Sequence, residues 1–115
     1  MISHALHQHN GQDIAEIQGD VTIRDAGQFL ELMMNLPAER IILHKRNLDQ
    51  SFFDLRTGLA GEILQKVVNY RCRLAIVGDF SVYESKSLRD FIYESNRGNT
   101  VMFLDSVQTA LARLA

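Results

Sequence analysis

The 115-residue sequence has one cysteine, one proline and no tryptophan, and it contains no long apolar run. Because Cys72 is the only cysteine, an internal disulfide cannot form, and a reducing compartment such as the cytoplasm is expected. No apolar segment approaches the roughly 20 residues that span a bilayer. The first residues also lack the apolar core of a signal peptide. We therefore expect a cytoplasmic protein with no membrane partner.

The chain also lacks an excess of positive charge and the short motifs of common enzymes. Its formal net charge is −2, whereas nucleic-acid-binding domains are normally basic, so we expect no nucleic-acid partner. There is no phosphate-loop lysine motif, no pair of metal ligands and no nucleophile in a known catalytic setting. These absences predict neither a cofactor nor a metal, and they name no reaction.

What is present fits one globular domain over residues 1–115. Hydrophobic residues make up 46% of the chain and charged residues 23%, which is typical of a soluble protein with its own core. No linker, repeat or low-complexity segment divides it.

The first third of the chain predicts a hairpin and a helix. A strand over 4–9, an Asn10-Gly11 turn and a return strand over 13–18 form the hairpin. Thr22 and Asp25 have the spacing of a capping box, which predicts a helix from about Ile23 or Arg24. Pro37 ends that helix.

The rest of the chain predicts alternating strands and helices. The predicted strands cover 40–44, 73–77 and 100–104. The predicted helices run over 57–69, from a second capping box at Ser87 and Asp90 to Gly98, and from the cap Ser106 to the end. The fold class is therefore α/β, a mostly parallel five-stranded sheet with an N-terminal antiparallel hairpin and four helices.

The inner strands are apolar at nearly every position, so both faces of the sheet should be covered. Helices on both faces would satisfy this pattern, and so would helices on one face and a partner subunit on the other. The second arrangement motivates the prediction of a homodimer.

Three long strings resemble an uncharacterised bacterial family, domain-of-unknown-function family 4180. They are FFDLRTGLAGEILQKVVNYR, LAIVGDFS and SLRDFIYESNRG, and the resemblance covers about 40–115. It implies no activity, because the family has none assigned.

The order of elements more loosely resembles the STAS domain of anti-sigma-factor antagonists and sulfate-transporter tails. Those domains carry an Asp-Ser-Ser-Gly-Leu turn that opens a helix, and this chain has DLRTGL at 54–59. Thr57 stands where the phosphorylatable hydroxyl precedes the Gly-Leu pair. One additional residue and the charge of Arg56 depart from the pattern.

The start of the second helix is the first candidate site. Helix N-termini attract anions, and Gly58 and Gly61 would allow close approach of a ligand. Lys45, Arg46 and Arg56 could bring positive charge to the same end. The candidate ligand-binding residues are Lys45, Asn47, Arg56, Thr57, Gly58, Gly61 and Ser81. The alternative is that the glycines only allow tight packing and the charges are solvated.

The strand ends form the second candidate site. His44, Asp79 and Asp105 follow three parallel strands, whose carboxyl ends meet at one edge of the sheet. His44 could act as an acid or base, and Asp79 could orient it. Aspartate at strand ends also forms turns and caps, which is the alternative.

Three further features have structural and functional readings. His7 and His9 share one face of a strand and His4 the other, which is a weak metal pattern. Cys72 lies between two arginines, which could lower the pKa of its thiol, although a structural cysteine is the simpler reading. The predicted third helix leaves Arg89, Tyr93, Glu94 and Asn96 to face outward or reach the loop edge, as a partner surface or a solvated face.

These observations favour a cytoplasmic, STAS-like binding module in bacterial regulation, with a partner protein or a small anionic ligand. The alternative is a small enzyme with a site at His44 and Asp79. A pocket enclosing those two residues would favour the enzyme, and a flat edge would favour the module.

Overall fold

The computed structural model describes residues 3–115, and its elements alternate as the sequence predicts. The strands are β1 (His4–His9), β2 (Gln12–Ile17), β3 (Arg40–His44), β4 (Arg73–Val77) and β5 (Val101–Leu104). The helices are α1 (Ala26–Met34), α2 (Leu59–Asn69), α3 (Lys86–Arg97) and α4 (Val107–Leu114). Short 3-10 turns lie between β3 and α2. None of the described helices is long and apolar enough to cross a membrane.

The five strands form one sheet in which spatial order equals chain order. β1 pairs with β2 antiparallel, and β2, β3, β4 and β5 pair in parallel. Asn10 and Gly11 both have positive φ, 52° and 78°, as a tight two-residue hairpin requires. The predicted α/β class, the antiparallel hairpin and the four helices are confirmed.

The two faces of the sheet are covered unequally. Side chains of α1, α2 and α3 form the larger core on one side, here called the three-helix face. Right-handed crossovers between successive strands place all three helices on that side. The smaller core on the opposite side, here called the α4 face, joins Ala110 and Leu114 of α4 to residues such as Ile42 and Met102. Helices thus cover both faces. On the α4 face, α4 packs mainly on β4 and also contacts β3 and β5.

Three predicted helix starts differ from those in the structure, and α1 and α3 show why. α1 begins at Ala26, and its N-cap is Asp25, whose carboxylate accepts a hydrogen bond from the Gln28 N–H at 2.8 Å. Ile23 cannot join the helix because it forms a parallel β-bridge with Leu48. α3 begins at Lys86 and not after Ser87, because the N-cap is Ser85.

The start of α2 also lies later than predicted. The chain makes a 3-10 turn over Leu55–Thr57, and Gly58 then adopts a left-handed φ of 81° before α2 begins at Leu59. A residue with a Cβ rarely adopts that conformation, so the glycine is what allows the change of direction.

Candidate functional site

Two histidines and a glutamate form a hydrogen-bonded network on the α4 face. His7 Nε2 lies 2.9 Å from Glu16 Oε1, and His44 Nε2 lies 2.7 Å from Glu16 Oε2. Each carboxylate oxygen is therefore hydrogen-bonded to one imidazole. We call this group the His7–Glu16–His44 network.

Strand register brings the three residues together. His7 lies opposite Ile14 of β2, so Glu16 is its diagonal neighbour on the same face. Glu16 in turn lies opposite Ile42 of β3, and His44 follows two residues later on that face. The network therefore spans β1, β2 and β3.

The carboxylate of Glu16 is partly buried and ionised at neutral pH. Burial raises its pKa, but the hydrogen bonds from His44 and His7 outweigh burial and hold the pKa below its ordinary value of 4.5. Because a carboxylate only accepts hydrogen bonds, each histidine must donate from Nε2. In the neutral imidazole, Nδ1 then carries the lone pair.

The His44 side chain also takes part in the turn that follows β3, where a reciprocal cap joins it to the Asn47 backbone N–H and joins the Asn47 side chain to the His44 N–H. Within residues 3–115 no side-chain nitrogen or oxygen is both buried and without a hydrogen-bond partner. A carboxylate that orients an imidazole is a common element of general-base sites. Sequence reasoning missed Glu16, although the hairpin register implied by Asn10-Gly11 places it beside His7.

The predicted partnership of His44 with Asp79 is not the one that the structure shows. The Asp79 carboxylate accepts hydrogen bonds from Ser81 Oγ at 2.6 Å and from the Ser81 N–H at 3.0 Å. The Ser81 hydroxyl and N–H hold the pKa of Asp79 below its usual value. Asp79 and Ser81 thus shape the loop after β4, and Glu16 orients His44.

Lys45 joins two loops at the carboxyl edge of the sheet. Its ammonium donates to the Asp79 carbonyl at 2.9 Å and lies 4.7 Å from the centre of the Tyr83 ring. A Cβ at position 78 would lie only 2.7 Å from the Lys45 Cβ, so Gly78 permits this close approach.

Asn47 is fully buried, and its side chain binds three backbone groups in two segments of the chain. Its amide nitrogen donates to the carbonyls of Gly19 and Val21 at 3.1 and 3.0 Å, and its oxygen accepts from the His44 N–H at 2.9 Å. Both side-chain N–H groups are therefore used inside the protein, which makes Asn47 a structural residue.

The polar residues before α2 are engaged locally. Arg56 forms two 2.9 Å hydrogen bonds with the Asp54 carboxylate, and Thr57 Oγ1 donates to the Ser51 carbonyl at 2.6 Å. The Leu59 N–H donates to Thr57 Oγ1 at 3.3 Å. Charges that were predicted to face an anion are thus compensated by protein groups.

Gly61 and Arg46 are the remaining residues of the predicted anion site. Gly61 is exposed, and a Cβ added there would meet nothing within 4 Å. Tight packing is therefore not the reason for this glycine. Arg46 lies 3.7 Å from the exposed Asp20 carboxylate. The anion site stays a prediction that this geometry does not strengthen.

A large cavity lies elsewhere, between α1 and the edge strand β1. It is a groove of about 930 Å³, here called the α1–β1 groove. Its lining is Ser3, His4, Gln18, Val21, Ile23, Gln28, Glu31, Leu32, Asn35 and Leu36. A second cavity, of about 400 Å³, lies near Cys72. Neither is lined by His44 or Asp79. Sequence reasoning missed the groove, because only the packing of α1 against β2 and β3 creates it.

The N-terminal histidines and Cys72 were weak candidates. In the part of the chain that the structure describes, no group of three His, Cys, Asp or Glu side chains could hold a metal ion. Cys72 is buried, and burial, with a smaller effect of Glu39, raises the pKa of its thiol. The alternative of a thiol activated by the flanking arginines is therefore not favoured, and the thiol contacts Met33 Sδ at 3.0 Å, in keeping with the interpretation of a structural cysteine.

One polar residue of α3 reaches the edge of the sheet. Asn96 Nδ2 donates to the Phe103 carbonyl at 3.0 Å, and Asn96 Oδ1 accepts from the Phe103 N–H at 2.7 Å. Tyr93 instead remains 65% exposed. The sequence allowed the polar residues of α3 either to face outward or to reach the loop edge, and Tyr93 and Asn96 show one case of each.

The family resemblance is confirmed by comparison with known families. The model of a family described as "Domain of unknown function (DUF4180)" matches residues 9–114, which is most of the chain. No curated protein matches the chain significantly. The chain therefore belongs to the DUF4180 family.

Proposed function

We propose that this protein is a cytoplasmic regulatory module that binds an extended segment of a partner protein in the α1–β1 groove. The observation that carries the proposal is the groove itself, which has about 930 Å³ of space on the side where α1 leaves β1 uncovered. The STAS-like order of elements, a fold used in regulatory binding, supports the same reading.

The lining chemistry favours a peptide over a small anion. The lining combines apolar side chains, including Val21 and Leu36, with the amides of Gln18, Gln28 and Asn35. Amides offer both donors and acceptors, as a peptide backbone does. Glu31 is the lining residue with a full charge at neutral pH, and it would repel an anion.

The length of the groove also suits an extended chain. The part of α1 from Gln28 to Met34 rises about 9 Å, at roughly 1.5 Å per residue. That length accommodates about three residues of extended peptide, at roughly 3.3 Å each. Side chains at alternate positions of such a peptide would point towards the apolar lining.

The experiment compares capture of proteins from the source cells by wild type and variants. Glu31→Arg and Gln28→Arg change exposed groove residues, and Glu94→Arg makes the same kind of change on the exposed face of α3. A partner retained by wild type and Glu94→Arg but lost from both groove variants supports the proposal. A partner that binds all four proteins equally overturns it.

A synthetic peptide from the captured partner then locates the contact. Backbone NMR shifts on titration should concentrate on α1 and β1. Shifts confined to His44 or to the start of α2 would instead place binding at a different site. Titration with inorganic phosphate tests the small anion, and shifts at Arg56 and Gly61 would revive that prediction.

An enzyme remains the second candidate, because the His7–Glu16–His44 network presents a carboxylate-oriented imidazole. In this candidate the His44 imidazole is the general base and Glu16 is the positioning residue. A substrate screen would test it: activity should disappear in His44→Gln and persist in Asp79→Asn. Activity that survives His44→Gln would exclude this candidate.

Regulation in the STAS-like reading would act at Thr57. The side chain is exposed, but its hydroxyl donates to Ser51 and lies beside the Asp54 carbonyl. Phosphorylation would replace that donor with a dianion and weaken the 3-10 turn. Intact-mass spectrometry of the protein isolated from its cells tests for the modification.

A further inference from the structure

The outer edge of β1 carries backbone groups that no other residue within 3–115 uses. In the antiparallel hairpin, the backbone N–H and C=O groups of successive β1 residues point alternately towards β2 and away from it. The Gln18 N–H donates to the Ser3 carbonyl at 3.0 Å, which fixes the alternation. The N–H and C=O groups of His4, Leu6 and Gln8 therefore point away from β2, and no described residue pairs with them.

This edge has none of the usual protection against pairing. Exposed edges are commonly blocked by lysine, proline or a β-bulge. The sequence of β1 is HALHQH, and its six residues pair with β2 without interruption. Leu6 is 48% exposed at the middle of the strand.

We propose that two copies of this chain associate through β1 and form one continuous sheet. The two β1 strands run antiparallel, with Leu6 opposite Leu6 of the second copy. His4 then lies opposite Gln8 of the second copy, and Gln8 opposite its His4. Every outward N–H and C=O of these residues gains a partner, because each such pair exchanges two hydrogen bonds.

The side chains of β1 suit this pairing with itself. On the three-helix face the two half-exposed Leu6 side chains meet. On the α4 face His7 lies opposite Ala5 of the second copy, so a large side chain meets a small one. β1 contains no Asp, Glu, Lys or Arg, and two copies therefore bring no fixed like charges together. The same patch serves both copies, as a two-fold dimer requires.

The dimer would leave both α1–β1 grooves accessible. The two-fold axis that relates antiparallel edge strands is perpendicular to the sheet, so both three-helix faces lie on the same side. The two grooves then flank a common floor of paired β1 strands. The dimer does not depend on the proposed peptide binding, since its contacts involve the backbone edge.

Sedimentation equilibrium over a concentration series tests the proposal. Leu6→Lys places a charge at the centre of the edge, and Gln8→Pro removes one outward N–H without touching the ladder to β2. Each variant should raise the dimer dissociation constant at least tenfold. Val82→Lys is the matched control, because Val82 is also exposed, at 61%, but lies far along the chain in the β4–α3 loop. Its dimer should persist.

Hydrogen exchange of single amides in the wild type gives a second measurement that needs no variant. The amides of His4, Leu6 and Gln8 should become protected as concentration rises, whereas those of Ala5 and His7 should be protected throughout. Thermal melting checks that each variant is folded. A wild type that is monomeric at every concentration, or a dimer that survives both Leu6→Lys and Gln8→Pro, overturns the proposal.

Discussion

The two edge strands of the sheet, β5 and β1, differ in how their outward-facing backbone N–H and C=O groups are paired. At β5, the side-chain amide of Asn96 hydrogen-bonds to both the N–H and the C=O of Phe103. It thereby imitates the peptide group of a neighbouring strand. At β1, the outward groups of His4, Leu6 and Gln8 have no such partner among the described residues. The chain thus closes one edge with its own side chain and leaves the other for water or another chain.

Neighbouring contacts reinforce the difference. Arg113 of α4 donates to the carbonyls of Asn96 and Gly98, so the end of α3 that carries Asn96 is itself held by α4. β1 is held by the ladder to β2, and the His7–Glu16 and Gln8–Asp13 side-chain hydrogen bonds add to it. An edge that is fixed from several sides cannot readily exchange partners, whereas β1 can gain one without losing any.

The largest expected effect comes from opening the closed edge. Asn96→Ala would leave the N–H and C=O of Phe103 without their partner at a part-buried position. The free energy of unfolding should fall by about 2 kcal/mol, measured by denaturant titration. Asn69→Ala is the control, because the exposed Asn69 bonds only to Gln65 on the surface of α2. Equal losses in the two variants would show that the β5 edge needs no side-chain partner.

Most of the fold could be predicted because its signals are local. The turn at Asn10-Gly11 and the apolar strands such as 73–77 occur in the structure as predicted. The helix starts were less certain, because several polar residues can cap a helix and tertiary contacts select among them. The β-bridge of Ile23 with Leu48 selected Asp25 as the cap of α1.

The candidate site depended on contacts between distant parts of the chain. Glu16 looks in sequence like an ordinary alternate residue of a strand, and its partners His7 and His44 lie 9 and 28 residues away. Asp79 looked like the partner of His44 because both follow strands, but strand ends do not reveal where side chains point. The closure of β5 by Asn96 was equally hidden, since only the packing of α3 decides which polar residues reach the edge.

The second largest loss of stability is expected when the His7–Glu16–His44 network, which helps to hold β1 on β2, is weakened. Glu16→Gln removes the charge that receives hydrogen bonds from His7 and His44, and the free energy of unfolding at neutral pH should fall by about 1 kcal/mol. Glu94→Gln, in the exposed pair with Arg97, should change little. If both variants lose the same amount, the His7–Glu16–His44 network does not secure the hairpin.

The pH dependence of the same variant has a definite sign. The folded-state pKa of Glu16 is below its ordinary value, so its stabilising effect is present above the unfolded-state pKa. The effect is lost as pH falls through the folded-state pKa. The stability difference between wild type and Glu16→Gln should therefore shrink at acidic pH. A difference that widens on acidification would contradict the assignment.

A more stable parent protein would allow the variants of the two edges to be compared while they remain folded. Gly61 is exposed within α2 and has space for a Cβ. Gly61→Ala should raise the free energy of unfolding by about 0.5–1 kcal/mol, because alanine is the better helix residue. Thermal melting measures the gain. A loss would mean that the backbone at Gly61 serves a contact other than helix packing, and the anion-site prediction would then regain support.

The smallest effect is expected at the open edge itself. Leu6 is 48% exposed, and its outward backbone groups have no partner within the described chain, so Leu6→Thr keeps strand propensity and removes little buried surface. At concentrations where the protein is monomeric, its free energy of unfolding should change by less than about 0.5 kcal/mol. In the dimer the same substitution removes the central Leu6 contact, so dissociation should become easier although the fold is unaffected. Denaturant titration at low and high protein concentration separates the two effects. A substantial loss of stability at low concentration would show that Leu6 already contributes to the core of the monomer, and the contrast between the closed and the open edge would then be weaker than the hydrogen bonds indicate.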